Sequence, residues 1–377
     1  MKWTVPEDVL PAFVAEMDFS VAGPVQEALE RVLDLQDYGY PVEGQAPAES
    51  RVVAAFENRM ARLYGWMPAP GQTVVVSDLI QGVGCALAAL TERGDGVLLH
   101  MPSYPPFRGV MQDIGRRLVA VPMRDDGTGY SFDLDALDPA ALRGARAFVL
   151  CNPQNPTGRV FTRAELVRVA EFAIAHDLIV LSDEIHSDLV FAGHRHIPFA
   201  SLGEDIARRT ITLNSATKGF NIPGLRCGIA HFGSAELLSA FRRAFPSRLM
   251  GHPSIFGIEA TVAAWTHGDA WLDAVGAKLS AARDYAFKRL TANDTGIVMH
   301  LPQATYLAWL DCRALNLDGP AQEFFAVRAG VKLSAGETFD PDCPGFVRLN
   351  FACSQETLTE IIDRMLASIE ALQRRGD

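Results

Sequence analysis

The chain has 377 residues, of which 49% are hydrophobic, and a formal net charge of -11 at pH 7. A chain of this length and composition can bury a large core and is expected to form two domains. The negative charge argues against nucleic acid and anionic membranes as partners, because both bind basic surfaces.

No apolar run reaches the ~18 residues that a membrane span needs, and the first residues lack the apolar core of a signal peptide. We therefore expect a soluble, cytoplasmic protein. The 6 cysteines form no Cys-x-x-Cys pair and do not cluster with histidine. The sequence thus indicates neither a disulfide framework nor a metal site, and we expect reduced, mostly buried thiols.

The first 230 residues change from an irregular start to a repeating pattern. Residues 1–35 begin extended, pass V-A-E-M-D-F (Val14 to Phe19) and end in a predicted helix, Pro24 to Leu35, with apolar residues on one face. Y-G-Y-P (Tyr38 to Pro41) is typical of a turn. Apolar runs then alternate with helical patterns and predict strands at 73–76, 97–100, 118–121, 147–150, 179–181, 211–213 and 227–230.

This alternation predicts an α/β fold with a mostly parallel, seven-stranded sheet covered by helices. From residue 231 onward, helices are predicted at 235–245, 255–266 and 270–291, and the last should link two domains. Strands at 305–310 and 346–351 and helices at 321–329 and 355–372 predict a smaller α/β domain. We expect residues 36–265 to form the large domain and residues 1–35 with 266–377 to form the small one.

The stretch Thr212 to Arg226 reads T-L-N-S-A-T-K-G-F-N-I-P-G-L-R, with Lys218 between an apolar strand and a Gly/Pro-rich turn. Ligands of open α/β folds bind where strands end, so the amine of Lys218 is a candidate for chemistry. Ser215 and Arg226 offer a hydroxyl and a guanidinium, which suit a phosphate monoester. A surface lysine is the alternative for this stretch alone, because S-x-x-K also occurs by chance.

A second phosphate-binding candidate comes after the first strand, where S-D-L-I-Q-G-V-G places Gly82, Val83 and Gly84 near the start of a helix. The free N-H groups of a helix N-terminus can bind phosphate. By itself G-x-G is better explained by helix packing. Together with Ser215 and Arg226, however, we interpret it as part of a phosphate site.

Three more polar side chains come after predicted strands. Tyr104 in P-S-Y-P-P-F offers an aromatic face to a planar ligand. Asn155 lies in N-P-Q-N-P-T-G, a rigid turn that holds its amide at a fixed angle. Asp183 ends a buried strand, where a carboxylate needs a cationic partner.

Arg348 lies inside the predicted strand G-F-V-R-L-N-F, among apolar neighbours. A buried guanidinium needs an anion, and its planar fork suits an α-carboxylate. A structural salt bridge is the alternative. No second arginine is obviously placed for a side-chain carboxylate, which makes an aspartate-type substrate less favoured.

These motifs, together with S-D-E-I-H-S-D (Ser182 to Asp188) and A-T-Y-L-A-W-L-D (Ala304 to Asp311), are arranged in one order along nearly the whole chain. In that order they resemble the fold-type I pyridoxal 5'-phosphate (PLP) enzymes, the class I/II aminotransferase superfamily. Within it, the chain is most similar to the MalY/PatB type of carbon-sulfur β-lyase, or cystathionine β-lyase. The resemblance implies that Lys218 binds the PLP aldehyde and then acts as the base at the substrate Cα.

The resemblance also implies roles for other residues. Asp183 would pair with the protonated ring nitrogen, Tyr104 would stack on the ring, and Asn155 would donate to the ring oxygen and, with Arg348, contact the substrate. His186 stands where aminotransferases usually carry a tyrosine, which matches the lyase branch; a structural histidine is the alternative.

Tyr40 is implied to reach the cofactor phosphate of a partner subunit in a homodimer. A surface aromatic is the alternative for this residue. The active site would then be built by two chains.

We therefore expect a PLP-dependent lyase that cleaves L-cystathionine or another S-substituted cysteine to a thiol, pyruvate and ammonia. A class I/II aminotransferase requires nearly the same residue types and stays open as an alternative. A PLP-fold regulatory binding protein is a third alternative. It would not need Lys218, Asp183, Asn155 and Arg348 all intact.

Overall fold

A computed structural model describes residues 2–43, 46–292 and 295–376. Its centre is an 8-stranded sheet. In spatial order its strands are Thr73–Val76, Gly228–Phe232, Thr210–Asn214, Ile179–Asp183, Ala145–Cys151, Gly96–Met101, Arg117–Asp125 and Tyr130–Phe132. All strands run in the same direction except Gly228–Phe232 and Tyr130–Phe132, which pair antiparallel with their neighbours.

The sheet confirms the predicted α/β class and contains all the predicted strands of this region. It has one strand more than we predicted, Tyr130–Phe132, which pairs antiparallel with the edge strand Arg117–Asp125. This strand has only 3 residues. So short a segment carries no apolar pattern by which a sequence analysis could find it.

Burial on both faces explains why these strands read as continuous apolar runs. Leu98, Phe148 and Val180 belong to one hydrophobic cluster, whereas the next residue in each strand, such as Leu99, belongs to another. Successive side chains of a strand point to opposite faces, so each face of the sheet needs its own layer of helices.

Helices provide those layers. They are Glu49–Tyr64, Leu79–Leu90, Pro105–Asp113, Pro139–Leu142, Arg163–Ala175, Glu204–Ala207, Ala216–Gly219, Ala235–Ala244, Ser247–Met250 and Ile255–His267. Helix Arg163–Ala175 shows why such a segment starts where it does. The Thr162 hydroxyl accepts from the Glu165 N-H, and the Glu165 carboxylate accepts from the Thr162 N-H, which satisfies two free donors of the first turn.

A second, antiparallel sheet has the strand order Val298–Met299, Leu307–Asp311, Phe346–Asn350 and Ser334–Ala335. Helices Ala321–Arg328, Gly336–Phe339 and Gln355–Gly376 accompany it, and the long helix Asp269–Leu290 leads into it. Two short pairs complete the strands: Leu10–Pro11 with Val331–Lys332, and Val42–Glu43 with Ala46–Pro47.

The N-terminal stretch 1–35 is divided between two cores. Ala12 and Met17 pack in the cluster of the second sheet. Helix Gly23–Leu35 instead buries Val25 in a cluster that includes helix Ile255–His267. The domain boundaries at residues 36 and 266 therefore stay a prediction.

Two sequence expectations concern composition. The 6 cysteines are free; 4 are buried, and Cys85 and Cys343 are partly exposed. In the described part of the chain, every helix is too short or too polar to serve as a transmembrane span.

Candidate active site

One pocket lies along the edge of the central sheet where the co-directional strands end. It collects many of the residues singled out in the sequence, namely Tyr104, Asn155, Asp183, His186, Ser215, Lys218 and Arg226. Most of these residues lie at or just after the end of a parallel strand. Arg226 reaches the same edge because it precedes Gly228–Phe232, which runs in the opposite direction. The position agrees with the rule for ligands in open α/β sheets.

Lys218 projects from a single helical turn, Ala216–Gly219. Ser215 caps this turn: its hydroxyl accepts from the Thr217 N-H at 3.1 Å and donates to the Cys227 carbonyl at 2.6 Å. The Lys218 Nζ donates to the Ala15 carbonyl at 3.0 Å.

The charge of this amine is disfavoured by its surroundings. Burial, and secondly the positive charge of Arg348, lower the pKa of Lys218 to about 8. A lysine with such a pKa is partly neutral near pH 7 and can therefore accept a proton or attack a carbonyl carbon.

Asp183 is the buried carboxylate of the pocket. Its Oδ1 accepts from the Ile185 N-H at 3.0 Å, and no cation of the described residues lies within ion-pair distance. Burial raises its pKa to about 7, while Lys218 opposes this rise only from a longer distance. A buried carboxylate without a cation is costly, so the site is suited to a ligand that brings a cationic group.

Arg348 is a buried guanidinium that does not line the pocket itself but contacts Asn155, which does. It donates from Nη1 to Asn155 Oδ1 at 3.0 Å and from Nη2 to the Phe13 carbonyl at 2.9 Å. The Nε atom is buried without a partner, and none of the described carboxylates forms an ion pair with the side chain. Burial lowers its pKa to about 10. The structural salt bridge considered as an alternative is thus absent from the described contacts.

His186, which is buried, and Tyr104, which is half-buried, complete the lining. Burial, reinforced by the charges of Lys218 and Arg348, lowers the pKa of His186 to about 3, so the imidazole is neutral. Its Nδ1 has no hydrogen-bond partner among the described residues. Burial raises the pKa of Tyr104, and its ring contacts Phe107 edge to face at 5.6 Å between centroids.

Gly82, Val83 and Gly84 are not brought to the pocket, which corrects their interpretation as phosphate ligands. They lie inside helix Leu79–Leu90, and the Gly82 N-H already donates to the Asp78 carbonyl at 3.0 Å. A Cβ at Gly82 would stand 2.8 Å from the Leu213 side chain. The G-x-G pattern therefore serves close helix packing.

The helix N-terminus that does line the pocket consists of Ser77 to Ile80. These residues lie about one turn before the predicted glycines, where the N-H groups of a helix start have no carbonyl partner within the helix. That a helix N-terminus binds phosphate stays a prediction, and the residues concerned are Ser77 to Ile80 instead of Gly82 to Gly84.

Tyr40 lies outside the pocket of its own chain and is 95% exposed. Its neighbour Tyr38 stacks on Phe256, with 6.2 Å between ring centroids. The role of Tyr40 in a partner's site stays a prediction.

Sequence reasoning missed the residues that hold the segment 13–19 over the pocket. The Asn350 Nδ2 donates to two carbonyls of this segment, both at 2.6 Å. The Asn221 Nδ2 donates to two more at 2.9 and 3.0 Å. The Tyr306 hydroxyl donates at 2.9 Å to the carbonyl that also accepts from Lys218.

A partial signal for these residues is present in the sequence. Asn221 is three positions after Lys218, and Asn350 is two positions after Arg348, so both lie inside motifs that carry predicted site residues. No pattern connects either of them to the N-terminal segment, because the partners are far apart in the chain.

The residues present fit PLP. Lys218 supplies a partly neutral amine, Asp183 an unpaired carboxylate for a ring nitrogen, and Tyr104 an aromatic face. Ser77 to Ile80 and Arg226 supply a helix N-terminus and a guanidinium for a phosphate.

Comparison with known proteins agrees with this assignment. The aminotransferase class I and II family matches residues 46–365. Cystathionine β-lyase PatB of Bacillus subtilis (strain 168) is 32% identical over 368 residues, which cover 96% of this chain and 93% of that protein.

Two solved structures have the same fold. The crystal structure of OvoB has a TM-score of 0.92 at 34% identity and covers 98% of this chain and 95% of that one. The PLP-bound C-S lyase from Staphylococcus hominis has a TM-score of 0.89 at 27% identity, with coverage of 97% and 94%. The chain therefore belongs to the aminotransferase class I and II family and is a PLP-dependent enzyme of fold type I.

Proposed function

We propose that the protein is a carbon-sulfur β-lyase that cleaves S-substituted L-cysteines, L-cystathionine among them, to a thiol, pyruvate and ammonia. The names of the PatB protein and of the Staphylococcus hominis enzyme support the reaction class. The observation that carries the proposal is Arg348, a buried cation without a carboxylate partner among the described residues, close enough to Lys218 to lower its pKa.

Arg348 binds the α-carboxylate of the amino acid. A charge-assisted hydrogen bond to a buried guanidinium contributes about 1.5–3 kcal/mol, and the fork fixes the orientation of the substrate. Asn155 holds the guanidinium in place through Nη1. The α-carbon of the substrate is thereby held on the Lys218 side of the pocket.

Bound PLP supplies an electron-poor ring that accepts the negative charge of a deprotonated Cα. Asp183 is the residue that would pair with a protonated ring nitrogen, and its burial would strengthen that interaction. The electron sink therefore depends on one carboxylate of this chain.

Lys218 moves the proton. Its neutral amine removes the proton from Cα; the Cβ-S bond then breaks, and the electron pair leaves with the sulfur. The resulting ammonium of Lys218 donates its proton to the departing thiolate. Water then completes the conversion of the three-carbon product to pyruvate and ammonia. No oxidant or amino acceptor is consumed.

An aminotransferase activity is the second candidate, and the name of the matched family favours it. Both reactions begin with the removal of the Cα proton, and they differ in the fate of the resulting negative charge. A lyase needs no acceptor, whereas an aminotransferase needs a 2-oxo acid.

Product analysis separates the candidates. The protein is incubated with PLP and L-cystathionine without any 2-oxo acid, and thiol, pyruvate and ammonia are measured. We expect equal amounts of all three from the native chain and none from Lys218→Ala. Amino-acid product formed only after addition of a 2-oxo acid would identify an aminotransferase, and no product under either condition would favour a binding protein.

We also propose that the protein is a homodimer in which Tyr40 contributes to the partner's phosphate site. The 95% exposure of this aromatic side chain in a single chain supports the proposal. Light scattering should give twice the chain mass, and Tyr40→Ala should weaken PLP binding. A monomer that binds PLP fully would contradict it.

The cytoplasmic location stays a prediction.

A further inference from the structure

A carboxylate lies at the rim of the pocket, where the residues present suit a phosphate. Asp78 comes after strand Thr73–Val76 and is the N-cap of helix Leu79–Leu90. Its Oδ1 accepts from the Ile80 N-H at 2.8 Å, and its Oδ2 lies 3.6 Å from the Arg226 Nη1. Asp78 thus contacts both positive features of the rim.

Each of these features is what a phosphate would use. The N-terminus of a helix carries roughly half a positive charge, which a full negative charge on the N-cap offsets. Arg226 has one ion-pair partner within the described chain, and that partner is Asp78. The Ser215 hydroxyl is also engaged, because it donates to the Cys227 carbonyl at 2.6 Å.

A phosphate dianion therefore meets a rim where the Asp78 carboxylate already contacts the Arg226 guanidinium and the Ile80 N-H. To bind, the phosphate must share the Arg226 guanidinium with the Asp78 carboxylate, which is also negatively charged. It must also approach N-H groups next to that carboxylate. Both requirements reduce the favourable electrostatic energy of phosphate binding.

We propose that Asp78 limits the affinity of this chain for the phosphate group of PLP. This inference rests on the PLP dependence that the proposed function also uses. Asp78 acts as a determinant of cofactor selectivity: it reduces the advantage of PLP over the same aldehyde without its phosphate, pyridoxal.

The variant Asp78→Asn tests this directly. Asparagine caps helices about as well as aspartate, so the helix start is retained while the charge is removed. The cofactor-free protein is titrated with PLP and, separately, with pyridoxal, and both dissociation constants are measured by absorbance. We expect the Kd for PLP to fall up to about fivefold, the size of a partly exposed charge interaction, and the Kd for pyridoxal to change little.

Asp138→Asn is the matched control. Asp138 caps helix Pro139–Leu142 in the same way, with its Oδ1 accepting from the Ala140 N-H at 2.8 Å, and it does not line the pocket. This variant should leave both dissociation constants unchanged.

Three results would overturn the inference. An unchanged Kd for PLP in Asp78→Asn would show that the carboxylate has no effect. A higher Kd would show that Asp78 orients Arg226 in favour of the phosphate. An equal fall for PLP and pyridoxal would assign the effect to the ring. A native chain that binds neither aldehyde would instead overturn the proposed function, so the two failures are distinguishable.

Discussion

Two arginines of the site lie in opposite environments. Arg348 contacts the pocket residue Asn155 and, with Lys218 and Asp183, belongs to the buried group that we call the inner end. It is 5% exposed and has no carboxylate partner in the described chain. The side chain of Arg226, at the rim, is 68% exposed and is paired with Asp78. Coulomb interactions are strong where water is excluded and weak where it screens them. The inner end should therefore hold its anion tightly, and the rim should hold its anion weakly.

Burial at the inner end also shifts the pKa values of the ionisable side chains in the direction that favours their neutral forms. The pKa of Lys218 is lowered to about 8, that of Asp183 is raised to about 7, and that of Arg348 is lowered to about 10. Desolvation is the first cause in each case. A ligand of matching charge relieves this cost, which is how a binding site differs from a structural ion pair.

The largest expected effect concerns Asp183. Asp183→Asn should lower kcat about a thousandfold, because it removes a preorganised charge from the site of electron acceptance. The cofactor-free variant should at the same time be more stable than the native chain at pH 8.

The sign of this stability change is set by linkage between protonation and folding. The folded-state pKa of Asp183, about 7, lies above the ordinary value of 3.8, so the buried charge destabilises the folded state above pH 7. This cost is at most roughly 4 kcal/mol and disappears below about pH 4. Thermal denaturation of the cofactor-free proteins at pH 8 and pH 5 checks it, with Asp138→Asn as control. An Asp183→Asn variant whose gain in Tm is the same at both pH values would contradict the assigned burial cost.

Arg348→Gln should have the next largest effect. Loss of the buried guanidinium should lower kcat/KM for the amino acid about a hundredfold, mainly through a higher KM. The Kd for PLP should change little, because the inner arginine serves the substrate. Steady-state kinetics and a PLP titration on the same samples measure both. An unaltered KM would indicate a structural role.

Arg226→Gln should weaken the binding of PLP and leave that of the amino acid unchanged, and this effect should be smaller than that of Arg348→Gln. The Kd for PLP should rise about fivefold, as expected for a partly exposed charge, while the Kd for pyridoxal stays constant. The KM for the amino acid at saturating PLP should not change. If this variant raised the KM as strongly as Arg348→Gln, the contrast between the two arginines would be wrong.

The smallest effect concerns pH. Capture of the PLP aldehyde by the cofactor-free protein should accelerate as pH rises through about 8, because only the neutral amine of Lys218 is a nucleophile. Arg348→Gln should move this midpoint upward, since the positive charge of Arg348 helps to lower the pKa of the lysine. Stopped-flow absorbance measures the rate. A midpoint that stays in place would show that burial alone sets the pKa.

The sequence predicted those parts of the molecule that depend on local pattern. The strands of the central sheet were found because strands buried on both faces are continuous apolar runs, and only the 3-residue strand Tyr130–Phe132 escaped. The order of the motifs also indicated which polar side chains lie at the ends of those strands. The assignment of Gly82 and Gly84 was wrong, because a G-x-G pattern does not reveal which helical turn faces a ligand.

By itself, then, the sequence determined the fold class and the family, and it singled out the lysine, carboxylate and amide that line one pocket and the guanidinium that contacts this amide. Only the tertiary structure decided how those groups are charged and held. It clamps the segment 13–19 with Asn221 and Asn350, which are separated from their partners by up to 336 positions. It also leaves Arg348 without an anion among the described residues and pairs Arg226 with Asp78. Burial and partner choice depend on distances between residues far apart in the chain, and no local pattern contains those distances.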